Sequence, residues 1–276
     1  MEITSITGII LGIGMMILGI TSDTGGIKLL GNFIHIQSIF ITIGGSLSGV
    51  LVVNRASNFI NGLKSFRLIF RKRQGSPEKV IQNIIVLSEI ARKEGLLALE
   101  DIAEKQDDKL MRKGLLLIVD GTDSDLIRCI FKTYLDNIEA RHEKIISFWD
   151  KWGELAPAWG MIGTLIGLVN MLKNLQSDTS AIGPNMSTAL ITTFYGSVIS
   201  NWICNPVAAK LRDLHDEEMS YKEMMIEGIL SIQAGENPRM IEEKLVTFLP
   251  QSTEEKKESD NQLLGKAAWM AGGEGV

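Results

Sequence analysis

Hydroxyl side chains are the groups in this sequence best placed to do chemistry. In the stretch 186–209, Thr188 and Thr192 lie four apart, while Thr193, Ser197 and Ser200 follow at spacings of four and three. On a helix each series shares a face. The stretch 155–172 adds Thr164 within Gly163-Thr164-Leu165. In an apolar medium such hydroxyls bond back to the carbonyl four residues earlier or cross-link helices, or else they line a route along which an ion passes from oxygen to oxygen. Both readings stand on the sequence, and Thr164, Thr193 and Ser197 are the candidates for an ion path.

An ion relay contained in one chain would carry a carboxylate inside the membrane. Glu2 and Glu154 lie only at the edges of apolar stretches, so an exchanging acid is expected from another subunit. Enzyme chemistry finds no support. Gly44-Gly45 lacks the following Lys-Ser/Thr of a phosphate loop, and His35, His142 and His215 are scattered. Cys129 and Cys204 are too far apart to suggest a disulfide framework or a thiolate metal site. No metal, cofactor or nucleic-acid partner is expected. Pro157 and Pro206 each remove a backbone donor near the end of an apolar stretch, which bends a helix or makes a joint. Arg92 and Glu100 read as solvated charges on composition alone.

The elements that hold these residues are four apolar stretches, 3–20, 33–53, 155–172 and 186–209, none with an interior Asp, Glu, Lys or Arg. Each approaches the roughly 20 residues a helix needs to cross about 30 Å of hydrocarbon. The predicted fold is an all-α integral membrane protein of four transmembrane helices, with a helical cytoplasmic domain inserted between the second and third. The first stretch has no basic n-region and no small-residue cleavage site, so it is expected to stay as a membrane helix.

Basic residues set the orientation. Arg55, Lys64, Arg67, Arg71, Lys72 and Arg73 follow the second stretch; Arg141, Lys144 and Lys151 precede the third; Lys210 and Arg212 follow the fourth. The loop 21–32 has only Lys28, and 174–185 has no basic residue. Both termini and the insert are therefore expected in the cytoplasm. The expected organisation is membrane helices in 1–54, a helical domain in 55–153, membrane helices in 154–209, cytoplasmic helices in 210–250 and a disordered tail in 251–276. Gly8 to Gly12 and Gly45 to Gly49 have the small-residue spacing of closely packed membrane helices. Ser76-Pro77-Glu78 and Asn237-Pro238 begin soluble helices, a short helix is expected around 96–105, and a helix opening near Ser124 is expected to run into the third stretch, bent near Gly153 and Pro157.

Three segments then carry a resemblance. They are Ala91-Arg92-Lys93-Glu94-Gly95-Leu96-Leu97-Ala98-Leu99-Glu100, Ala156-Pro157-Ala158-Trp159-Gly160-Met161-Ile162-Gly163-Thr164-Leu165-Ile166-Gly167-Leu168, and the hydroxyl-rich fourth stretch ending in Asn205-Pro206. Together with the helix layout they resemble the MotA/PomA family of flagellar stator subunits over nearly the whole chain up to the tail. The resemblance implies five copies around two copies of a MotB-like, peptidoglycan-binding partner, whose single membrane helix supplies the ion-binding Asp. It implies that Pro157 and Pro206 couple ion passage to movement, and that Arg92 and Glu100 meet the rotor protein FliG. Thr193 would face the partner's Asp, and Thr164 would occupy a position linked to ion type. Thr there accompanies sodium-driven members, whereas proton motors are the more prevalent; the translocated ion is H+ or Na+, with proton favoured. An ExbB/TolQ-like energy-coupling channel is the alternative, but that group typically has three membrane helices and lacks the Arg92 to Glu100 segment.

Overall fold

The computed structural model describes residues 3–22, 26–70, 76–174, 180 and 182–249. The tail expected to be disordered, together with Arg71, Lys72 and Arg73, lies outside the described residues. Among those described, regular structure is entirely helical.

Helix α1 spans Ile3–Thr21, and a 3-10 segment Gly26–Phe33 leads to α2, Ile36–Val53, which contains a π turn at Phe40–Gly44. Helix α3 is Ala56–Ser65, followed by a turn at Leu68–Phe70. Then come α4 (Pro77–Glu94), α5 (Glu100–Glu104) and α6 (Lys109–Val119). Helix α7 runs from Ser124 to Asn174. Helix α8, Ile182–Val198, passes through a π turn at Ile199–Cys204 into α9, Asn205–Gln233, and α10 is Pro238–Val246.

Two compact units result. One holds the described parts of 3–70 and 139–215. Its exposed side chains are large and apolar: Leu11 is 63% exposed, Phe40 73%, Val52 87% and Leu165 63%. Such a surface is unstable against water and suits lipid or other membrane helices. Two helices, α2 and α7, contain spans long and apolar enough to cross a bilayer, and Thr7–Thr21 is a shorter apolar helix. The hydroxyls of α8, with Asn201 beyond its end, lower the hydropathy of this stretch, so the fourth expected span does not stand out by length and composition. The chain is thus all-α and membrane-associated.

Small residues let this unit close up. A Cβ built on Gly45 would fall 2.2 Å from the Trp159 ring, one on Gly12 2.6 Å from Trp202 Nε1, and one on Gly49 3.0 Å from Leu155 Cδ1, whereas Gly8 meets nothing. Phe66, Phe148, Trp149 and Trp152 form an aromatic cluster with ring centroids 5.3 to 6.1 Å apart. Its polar edges are satisfied, since Trp149 Nε1 donates to Ser65 Oγ at 2.9 Å and Trp152 Nε1 to Ser46 Oγ at 3.1 Å. Rings of this kind, apolar with one donor, favour the membrane–water boundary.

The other unit comprises 76–138 and 216–249. Its core joins Ile81, Ile84 and Leu87 of α4 to Leu115 of α6, Phe131 of α7, Ile229 of α9 and Leu245 of α10, all buried. Caps fix its helix starts as the sequence predicts: Ser76 Oγ accepts from Lys79 N–H at 3.4 Å, and Asn237 Oδ1 from Arg239 N–H at 3.1 Å. Where one short helix was expected around 96–105, the chain instead makes a 3-10 turn, Leu96–Leu99, before α5. Gly95 at φ +88° ends α4, a conformation that favours glycine, and the tight turn returns Leu99 to the core.

Lys244 ties α10 to α9, with Nζ 2.5 Å from Glu227 Oε1 and 3.6 Å from Glu236 Oε1. The hydrogen bond to Glu227 is the main cause that holds its ammonium above the usual lysine value, with the nearby carboxylate charges adding to it. A raised lysine stabilises the fold below the ordinary lysine pKa and ceases to do so as pH rises through the folded value. Lys244→Met should therefore cost up to about 1 kcal/mol at neutral pH, the cluster being part-exposed. The cost should vanish in strongly alkaline solution, read as faster amide exchange in α10 at pH 7.

Candidate functional site

Helices α7 and α8 cross along a seam of glycines. Cβ atoms built on Gly160 and Gly163 of α7 would lie 3.0 Å from the Thr192 carbonyl oxygen and 2.5 Å from Thr192 Cβ, and one on Gly167 2.7 Å from the Asn185 carbonyl oxygen. From α8, a Cβ on Gly196 would lie 2.7 Å from the Ala156 carbonyl oxygen and 3.1 Å from Pro157 Cα. At Gly160, Gly167 and Gly196 the atoms met include backbone, so no larger residue fits there without separating the helices.

This close approach brings two of the three ion-path candidates together. Thr164 Oγ1 and Thr193 Oγ1 are 2.5 Å apart. Thr164 Oγ1 also lies 3.1 Å from both the Gly160 and Ala189 carbonyls, and Thr193 Oγ1 lies 3.3 Å from the Ala189 carbonyl. Each hydroxyl has one proton to donate. If Thr164 donates to Thr193, Thr193 donates to Ala189; if Thr193 donates to Thr164, Thr164 donates to a carbonyl. The pair can reverse its direction without losing a bond, and Thr193 is exposed while Thr164 is half-buried. Ser197 stands one turn on from Thr193, exposed, beside an apolar groove of about 350 Å³ lined also by Gly12, Met16, Phe194, Val198 and Trp202.

The other hydroxyl series does a different job. Thr188 and Thr192 are buried at 4% and 0% exposure. Thr192 Oγ1 lies 3.0 Å from the Thr188 carbonyl and 2.9 Å from that of Ala189, while Ser38 and Thr42 of α2 donate to the carbonyls of Thr188 and Thr192 at 3.4 and 3.3 Å. Bonding back to a carbonyl and cross-linking of helices thus occur on both faces of α8, with Thr193 and Ser197 on the exposed one. Ser200 parts company with Thr193 and Ser197: it sits inside the π turn, buried, and donates to the Gly153 carbonyl at 2.7 Å.

Pro157 lies within α7, which continues past it and past Gly153, and Pro206 follows the π turn after one residue, Asn205. Arg92 and Glu100, both exposed, occupy the last turn of α4 and the first residue of α5. Between them stands Leu97, 73% exposed on the 3-10 turn. Its exposure was not readable from the sequence, where a leucine beside Leu96 and Leu99 looks like core.

The histidines also part from the scattered picture. His35 caps α2, its Nδ1 accepting from Ser38 N–H at 3.3 Å, and His142 Nδ1 lies 3.1 Å from His215 Nδ1. That pair links helices 73 residues apart in sequence, a separation that hides it. Among the described residues no group of three or more His, Cys, Asp or Glu is placed to hold a metal ion.

Comparison with known proteins finds relatives along nearly the whole chain. Residues 102–224 match the MotA/TolQ/ExbB proton channel family. Motility protein A of Treponema pallidum (strain Nichols) is 40% identical over 264 residues, spanning 96% of this chain and 99% of that protein. Chemotaxis protein PomA of Vibrio alginolyticus is 37% identical, spanning 90% of this chain and 96% of its own. A solved structure of the flagellar MotAB stator complex from Bacillus subtilis contains a chain that superposes with a TM-score of 0.83 at 31% identity, covering 92% of this chain and 98% of that one. The full-length relatives separate the motility branch from the broader channel family, and the chain belongs to the MotA/PomA family of flagellar stator subunits, with that family's ion-coupled, torque-generating and non-catalytic role.

Proposed function

We propose that five copies of this chain surround two copies of a MotB-like, peptidoglycan-anchored partner, and that protons drive the ring past the partner's helices. The observation that carries this reading is the Thr164–Thr193 hydroxyl pair at the glycine seam, beside Pro157, with no carboxylate of its own. The partner's intramembrane Asp would supply the acid. All four apolar stretches would span the membrane with both termini and the soluble unit in the cytoplasm, as the flanking basic residues favour.

Protonation of the partner's Asp removes charge from a site where unpaired charge is costly, and the ring steps before the proton leaves toward the cytoplasm. One charge gains roughly 2.3 kcal/mol per 100 mV of membrane potential. Such a gain biases a single step, so sustained torque needs many protons. Pro157 and Pro206 are the joints that transmit the step. The test is rotation in a strain whose own stators are deleted: this chain with its native partner should turn the motor, and the same pair with the partner's Asp changed to Asn should not. Unchanged rotation with the neutral partner would overturn the reading.

Arg92 and Glu100 are proposed to meet oppositely charged groups on a helix of the rotor protein FliG, with Leu97 as the apolar contact between them. Arg92→Glu should slow or stop the motor, and reversing an acidic residue on the rotor helix should restore it in that background. Restoration is the informative result, since loss alone would follow from any damage to the turn.

A further inference from the structure

Proline inside a helix leaves the carbonyl four residues earlier without its donor. For Pro157 that carbonyl belongs to Gly153, and the hydroxyl of Ser200 donates to it at 2.7 Å. Ser200 is 6% exposed, and it belongs to the π turn Ile199–Cys204, which ends where the backbone N–H of Asn205 bonds the Ser200 carbonyl, one residue before Pro206. A Cβ built on Gly153 would lie 2.9 Å from Asn205 Oδ1 and 3.2 Å from Cys204 Cβ, so the absence of a side chain at 153 is what lets the π turn approach. One hydroxyl thus bridges the break made by the first proline and the widened turn that precedes the second.

We propose that Ser200 is a positioning residue for torque generation: its hydroxyl substitutes for the N–H that Pro157 lacks and locks the Pro157 joint to the Pro206 joint, so that the two move together. This rests on the reading of those prolines as coupling joints. Away from water an unpaired carbonyl is costly, which makes the bond a two-state element. Closed, it holds α7 and the π turn in one arrangement; opened, it obliges the Gly153 carbonyl to find another donor, and the joint moves. Thr193, by contrast, bonds Thr164 and the Ala189 carbonyl and not that of Gly153.

A double-mutant cycle on the complex of this chain with its partner tests the bond. Ser200→Ala should lower the Tm of the purified complex by ~2–4 °C and slow rotation at a fixed ion gradient, while Ser200→Thr, which keeps the donor, should preserve both. Pro157→Ala restores the backbone N–H to Gly153, so in that background Ser200→Ala should leave the Tm unmoved. An equal Tm shift in both backgrounds would overturn the bond's assigned role. The expected Tm cycle accompanied by full-speed rotation of Ser200→Ala would overturn its part in coupling. Failure of the reading of the prolines as joints would look different again, since Pro157→Ala would then turn the motor at full speed.

Discussion

Gly196→Val should abolish swimming even though it adds only an isopropyl group to an apolar helix. The first atom of that side chain would lie 2.7 Å from the Ala156 carbonyl oxygen and 3.1 Å from Pro157 Cα. Both are backbone, so neither can rotate away, and α7 and α8 must separate. Overpacking of this kind costs about 1–3 kcal/mol. Here it acts on the joint itself, because parting the helices also breaks the 2.5 Å approach of Thr164 to Thr193 and unseats Pro157. Gly196→Ala should already reduce speed. Gly49→Ala is the matched control: the tight contact of its new Cβ would be with Leu155 Cδ1 at 3.0 Å, the far end of a flexible side chain, with Trp159 Nε1 at an ordinary 3.6 Å, and swimming should survive. Swarm diameter and single-motor speed, with membrane levels of the chain checked by immunoblot, measure the contrast.

The second large effect is expected at Thr193. Thr193→Val keeps the shape and removes the hydroxyl that pairs with Thr164, whereas Thr193→Ser keeps the hydroxyl. On the proposed ion path, Thr193→Val should cut motor speed on the order of tenfold, corresponding to the ~1.4 kcal/mol of one strong hydrogen bond, with membrane levels of the chain unchanged because the residue is exposed in the folded chain. Thr193→Ser should retain most of the speed. Thr192→Val, one residue away, should do the reverse. Thr192 is fully buried and its hydroxyl bonds carbonyls of its own helix, so its loss is felt in the stability of the packed pair and not in the ion path. If Thr192→Val and Thr193→Val impair rotation to the same degree, the division of the two faces is wrong.

What the sequence made legible follows from how local each signal is. The caps at Ser76 and Asn237, the helix opening at Ser124 and the shared face of Thr193 and Ser197 depend on neighbours within one turn, and periodicity reports them. The family motif carried Thr164, Pro157, Arg92 and Glu100 to their positions, but not to their contacts. Ser200 shows why. Spacing puts it in series with Thr193 and Ser197, yet the π turn from Ile199 to Cys204 changes the register, and the hydroxyl turns inward to Gly153. A π turn leaves no mark in a hydrophobicity pattern. The same limit hid the glycines of the working seam. Gly8 and Gly12 have the expected spacing, but a Cβ on Gly8 would meet nothing, while Gly160, Gly163, Gly167 and Gly196, whose partners lie on another helix, set the approach of α7 to α8. The contacts between His142 and His215 and the exposure of Leu97 depend on tertiary placement in the same way.

The central claim, that a proton gradient acting at this seam turns the motor, is tested by driving the two candidate ions independently in cells that carry this chain and its native partner. Single-motor speed should fall to zero when the proton gradient is collapsed with the sodium gradient intact, and should not change when sodium is withdrawn. Rotation that persists without a proton gradient and stops on removal of sodium would contradict the account and make Thr164 and Thr193 the residues that select sodium.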